Sequence, residues 1–227
     1  MKIKPFIAVL LLLGCAYSCA DNTPKTTAKH DWSEPSDPEG ATDPALWADV
    51  NGTFASFGSI NDRYPRSKPY NGPSKSSHVL TGWRGEKVSA QIIVWSSQAV
   101  EELTCSIGQI KTENAALPGN AARARFVKYV ISDAFDPGKP CGWREPGQFD
   151  EFLAADILDE VPSLDMDAMS ARPVWITIEI PRDANSGVYT TDVTLKAKNG
   201  FSETLQLSLD IIDRVLPPAS EWVYHLD

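Results

Sequence analysis

Histidine is scarce in this chain. His30, His78 and His225 are the only three in 227 residues. No Gly-x-Ser-x-Gly elbow accompanies them, so a Ser-His-Asp hydrolase is not expected and no catalytic residue is assigned. Cysteine is limited to four. Neither Cys105 nor Cys141 has metal-ligand spacing to a His or another Cys, so no metal site is expected. A phosphate-cradling glycine loop is missing too, and no cofactor is expected. Basic clusters with interleaved aromatics are also lacking. The net charge is −9, and removing the two positive charges of Lys2 and Lys4 leaves −11 on the rest. That balance disfavours nucleic acid and anionic membrane surfaces, because each phosphate contact needs Lys or Arg. The one strongly apolar run, Phe6 to Leu13, falls short of the ~20 residues that span a bilayer.

What the N-terminus does have is the pattern of an export signal. Lys2 and Lys4 form a basic region, Phe6 to Leu13 an apolar one, and small residues follow. Leu12-Leu13-Gly14-Cys15 has the form of a bacterial lipobox, and Ala16-Tyr17-Ser18-Cys19 offers an alternative. Residues 1–19 are therefore expected to be a lipoprotein signal, with Cys15 or Cys19 lipidated. The protein would be exported and held at the bacterial envelope, on the periplasmic or surface side of the outer membrane, by a lipid that does not span it. An oxidising compartment allows a disulfide between Cys105 and Cys141, but spacing alone does not fix their separation.

Residues 20–45 are polar and broken by Pro24, Pro35, Pro38 and Pro44, which predicts a flexible tether. The folded domain is expected over 46–218. Asn51-Gly52 suggests a hairpin turn, Thr53 to Ile60 a strand, and Asn61 to Ser77 a loop. Trp83 to Trp95 alternates, as do Leu103-Cys105-Ile107 and Arg123 to Ile131. Phe149, Phe152, Leu153, Asp156 and Ile157 fall at helical spacing, which predicts a helical turn or two. The clearest stretch is Arg172 to Ile212. Val174, Ile176, Ile178 and Ile180 share one face of a strand. Tyr189, Thr191, Val193 and Leu195 form a second row, and Leu205, Leu207, Leu209 and Ile211 a third. Asn199-Gly200 predicts a type I′ hairpin turn between the last two. The three read as an antiparallel meander. Several strands with turns between them and little helix predict an all-β, antiparallel sandwich of immunoglobulin-like or jelly-roll-like form.

Acid clusters occur at Asp156-Ile157-Leu158-Asp159-Glu160 and Asp165-Met166-Asp167, and adjacent acid pairs at Asp150-Glu151 and Asp159-Glu160. Sequence proximity does not supply the carboxylate geometry of a glycosidase, and charge runs are usually solvated. The loop at Asp165 also lacks the glycine and distal glutamate of a calcium-binding EF-hand. Trp83, Trp95, Trp143, Trp175 and Trp222 offer faces that stack on sugar rings, although Trp is equally a core residue.

Several segments taken in order carry a resemblance. They are Ser56-Phe57-Gly58-Ser59-Ile60-Asn61-Asp62-Arg63-Tyr64, then Gly82-Trp83-Arg84-Gly85-Glu86-Lys87-Val88, then Asp156-Ile157-Leu158 and Arg172-Pro173-Val174-Trp175. Gly187-Val188-Tyr189, Leu216-Pro217-Pro218 and Trp222-Val223-Tyr224-His225 complete the set. Together they resemble the N-terminal domain of glycoside hydrolase family 123 proteins of Bacteroidetes and other bacteria. The resemblance implies a β-sandwich followed by a (β/α)8 barrel with β-N-acetylgalactosaminidase activity. It implies substrate-assisted catalysis by an adjacent Asp-Glu pair in that barrel. None of the acid pairs above matches it. Residues 219–227 are expected to begin the downstream barrel domain, with Trp222 and Tyr224 as inter-domain contacts. The partners implied are that barrel and its glycan substrate. The alternative is a stand-alone surface lipoprotein that binds glycans.

Overall fold

The computed structural model describes residues 33–133 and 151–222. The chain divides into two compact units, Met1–Ser33 and Glu34–Asp227, and the first lies outside the described residues apart from Ser33. The second unit begins at Glu34, earlier than residue 46.

Among the described residues ten strands build this unit. They are β1 (Thr53–Gly58), β2 (Ser77–Arg84), β3 (Lys87–Ser96), β4 (Val100–Ile107), β5 (Ala122–Asp133), β6 (Glu151–Asp159), β7 (Leu164–Met166), β8 (Ser170–Glu179), β9 (Gly187–Lys196) and β10 (Ser202–Val215). Sheet A has the order β1-β3-β8-β5-β6 and sheet B the order β2-β10-β9-β4-β7. Their inner faces meet in one core. Ile92, Val94, Val174, Ile176 and Ile178 come from sheet A, and Tyr189, Val193, Leu195, Leu205, Leu207 and Leu209 from sheet B. The period-two rows read from the sequence are those core faces. Pairing is antiparallel except between β2 and β10, which run parallel.

Local differences from the sequence reading have physical causes. The run from β8 to β10 is not one meander. β8 is enclosed between β3 and β5 in sheet A, so no edge is left for β9. Pro181 ends β8, and the chain crosses to sheet B before β9. The β9–β10 hairpin does turn at Asn199-Gly200, but only Gly200 has positive φ there, at 92°. Gly200 N–H donates to the Ala197 carbonyl and Ala197 N–H to that of Phe201. This is a three-residue loop with glycine in the left-handed position, not a type I′ turn. Asn51-Gly52 makes no hairpin; it leads from a 3-10 turn at Pro44–Trp47 into β1. The segment around Phe152 is strand β6, not helix. Lys128 pairs with Ile157 but Tyr129 with Ala155, so Asp156 bulges out of the ladder. A bulge resets the alternation, which is why the spacing imitated a helix.

The outer face of sheet A is partly roofed by the chain before β2. Gln91 Nε2 donates to the carbonyls of Ser59 and Asp62. Trp47 Nε1 donates to Ser67 O, and Tyr129 Oη to Tyr64 O. Ile93 and Tyr129 are fully buried beneath this cover.

Candidate interdomain surface

The outer face of sheet B has no such roof among the described residues. Its alternation should leave a polar row facing water. Instead Val79, Trp83, Val188 and Ile212 are 65%, 41%, 60% and 39% exposed. Register places them together: Trp83 pairs with Ile212, Val79 with Ser208, and Val188 with Asp210. Polar Thr81, Thr190 and Ser208 and the carboxylate of Asp210 lie between them. The strip is therefore a mixed surface that carries exposed apolar side chains on three adjacent strands, with Trp83 and Ile212 directly paired.

It lies where the chain leaves the sandwich. β10 bulges after Ile212, so that Val215 rather than Asp213 pairs with Arg84. Arg84 Nη2 holds Asp213 Oδ1 at 2.7 Å. Leu216 N–H then donates to the Arg84 carbonyl. A 3-10 turn at Ala219–Glu221 follows, and Trp222 is 45% exposed with its Nε1 donating to Pro217 O at 2.8 Å. Val215 is exposed as well.

The residues singled out in the sequence are dispersed. Cys15, Cys19, Cys141, Tyr224, His30, His225, Trp143 and Asp150 lie outside the described residues. Cys105 sits on β4, half-buried against the core, and burial pushes its thiol up to about 12. It has no sulfur partner among the described residues. His78 stacks on Phe57 at 5.3 Å, and burial lowers its pKa. Neutral and packed, it is a structural imidazole. Asp165 Oδ1 accepts the Glu102 backbone N–H. Asp156, Asp159 and Glu160 each face a different set of cations: Arg63, Lys128, and the pair Arg123 and Arg125. Among the described residues, no three His, Cys, Asp or Glu side chains gather as a metal site. Trp95 and Trp175 are half-buried on the outer side of sheet A, and Trp95 packs on Phe54 at 5.7 Å and Tyr70 at 5.2 Å.

Sequence reasoning missed two features. One is the exposed apolar strip, whose members occupy the outer rows of strands read for their inner rows. The other is the Glu34–Arg172 contact, for which no local signal exists.

The sequence profile of the glycoside hydrolase 123 N-terminal domain matches residues 57–197. No curated protein matches the chain. Among solved structures, a family 123 glycoside hydrolase from Clostridium perfringens, described for glycolipid glycan hydrolysis, aligns with a TM-score of 0.63 and 23% identity. The alignment covers 75% of this chain and 29% of that one. The chain thus spans less than a third of that enzyme's length. A PapD-like domain of human CEP192 aligns at a TM-score of 0.36 and 15% identity, over 68% of this chain and 96% of its own, too remote to carry an argument. With the profile covering most of the sandwich from β1 to the end of β9, this chain belongs to the glycoside hydrolase 123 N-terminal domain family.

Proposed function

We propose that this chain is the non-catalytic N-terminal sandwich of an exported, lipid-anchored glycoside hydrolase acting on N-acetylgalactosamine-containing glycans. Its outer sheet B face packs against a downstream (β/α)8 barrel. The observation that carries this reading is the apolar strip of Trp83, Ile212, Val188 and Val79 beside the point where β10 ends. A following domain emerging there meets that strip first. The length of the Clostridium enzyme supports a larger parent protein. The basic-apolar-cysteine pattern ending at Cys15 or Cys19 supports export and lipidation.

The test is the reading frame after Asp227 in the source DNA. An open frame entering a barrel with an adjacent Asp-Glu pair is the expected result. A stop codon there overturns this reading. It would favour a stand-alone glycan-binding lipoprotein, which draws its own support from the half-exposed Trp95 and Trp175 on sheet A.

A further inference from the structure

Among the described residues the outer face of sheet A is only partly roofed, and the open part has a composition of its own. Val174, Ile176 and Ile178 point into the core, so Trp175 and Thr177 point outward. Register sets Gln91, Trp175 and Arg125 in one row across β3, β8 and β5. The next row is Ser89, Thr177 and Arg123. β6 pairs with β5 from Phe126 to Asp133, which leaves the flank of β5 at Ala122 to Arg125 without a strand among the described residues. A cleft of about 430 Å³ opens at that flank between the two sheets. There Arg123, Arg125 and Glu160 stand beside the inward-facing Phe126 and Val174 and Cys105 of β4, while Trp175 lies on the outer face and does not line it.

The charges along this flank of the outer face are incompletely matched. The Glu160 carboxylate stands 3.9 Å from both Arg123 Nη1 and Arg125 Nη1, beyond hydrogen-bond distance. It is 64% exposed, so the attraction is weak. Arg125 Nη2 reaches Thr177 Oγ1 at 3.4 Å, while its buried Nε has no acceptor among the described residues. Two guanidinium groups are thus held side by side, with donors that an oxyanion matches in geometry and charge. The half-exposed indole of Trp175 lies beside them, and its face suits the C–H side of a pyranose.

We infer that this open part of sheet A is a binding site for an acidic sugar, with Trp175 under the ring and Arg123 and Arg125 on its carboxylate or sulfate. Glu160 occupies the anion position when no ligand is bound. The site lies on the sheet opposite the apolar strip, and does not depend on what covers sheet B.

The experiment titrates the full chain with N-acetylneuraminic acid, galactose 6-sulfate and galactose, read by calorimetry and saturation-transfer NMR. One of the two anionic sugars is expected to bind at least roughly tenfold more tightly than galactose, and which one does identifies the anion. Arg123→Lys with Arg125→Lys keeps the charge but loses the paired donors, and should weaken binding severalfold. Alanine at both positions should weaken it at least roughly tenfold. Glu160→Gln removes the competing carboxylate and should tighten binding. Three results overturn the inference: no binding by either anionic sugar at about 10 mM, equal binding of galactose, or tighter binding lost rather than gained in Glu160→Gln. The last variant alters one exposed side chain, so a folding defect does not obscure its outcome.

Discussion

The guanidinium of Arg172 grips the carboxylate of Glu34 across 138 residues of sequence. Arg172 Nη1 bonds Oε1 and Nη2 bonds Oε2, the latter at 2.9 Å. Oε1 also accepts the Tyr129 backbone N–H at 2.9 Å, and Arg66 stands 3.4 Å from Oε2. Arg172 Nη1 further donates to the Val127 carbonyl. A single carboxylate thus ties the segment before the first 3-10 turn to β5, β8 and the roof over sheet A.

Removing that carboxylate leaves Arg172 buried and unmatched. Side-chain exposure is 7% for Arg172 and 15% for Glu34, so solvent does not compensate. Glu34→Gln should cost about 3 kcal/mol, since breaking a buried pair strands the remaining charge. The urea midpoint measures it. Deleting residues 1–33 should leave that midpoint unchanged, whereas deleting 1–45 should lower it as Glu34→Gln does. Equal midpoints for both deletions would show that Glu34 holds nothing.

The same pair sets a pH dependence. Burial pushes the Glu34 pKa up, but the Arg172 hydrogen bond and charge outweigh it, and folded Glu34 titrates below its ordinary 4.5. On acidification the unfolded chain therefore takes up this proton first. The stabilisation is complete above 4.5 and is lost as pH falls through the lower folded value. The gap in midpoint between the wild type and Glu34→Gln should be constant from about pH 8 to 5.5, then narrow as pH falls further. A gap that widens on acidification contradicts the assignment.

The Glu34 contact also marks the limit of what the sequence made legible. Core rows from Val174 to Ile211 were readable because alternation is a local property of a strand. β6 was not, because the bulge at Asp156 interrupts that alternation. β2 was hidden as well: Ser77 and His78 follow a polar loop, and Gly82 weakens the pattern. Glu34 sits among prolines that read as tether, and nothing nearby in sequence announces an arginine on β8. The apolar strip was equally obscured, since Trp83, Val188 and Ile212 become neighbours only through the parallel β2–β10 pairing and the β9–β10 hairpin.

Gly82 illustrates packing that composition does not reveal. A Cβ on it would lie 2.6 Å from Ile180 Cδ1 and 2.7 Å from Val88 Cγ1. Gly82→Ala should therefore lower stability by about 1–3 kcal/mol through overpacking. Ile180→Val removes the nearer atom, so the double variant should recover part of the loss in thermal melts. Strict additivity of the two single changes would refute the contact.

Cys105 offers a kinetic readout of the sheet B core. With its thiol pushed up to about 12 by burial, little thiolate forms in the folded protein near neutrality. In a background with the other three cysteines replaced, iodoacetamide should label Cys105 slowly at about pH 8 and more than a hundredfold faster in urea. Fast labelling of the folded protein would mean that β4 does not pack as described.

The exposed strip on sheet B separates stability from association. Val188 is 60% exposed, Trp83 41% and Ile212 39%, so replacing them removes little buried area from the isolated sandwich. Trp83→Ser, Val188→Thr and Ile212→Thr together should change the urea midpoint by less than about 1 kcal/mol equivalent, the range of surface substitutions. They should, however, reduce binding of a hydrophobic dye and any self-association, because the largest apolar groups of the patch are gone. The opposite pattern, lost stability with unchanged dye binding, would place these side chains inside the sandwich's own packing. Carried into a parent enzyme, the same three changes should loosen the sandwich from its neighbouring domain, read as faster proteolysis between them while each domain keeps its own melting transition.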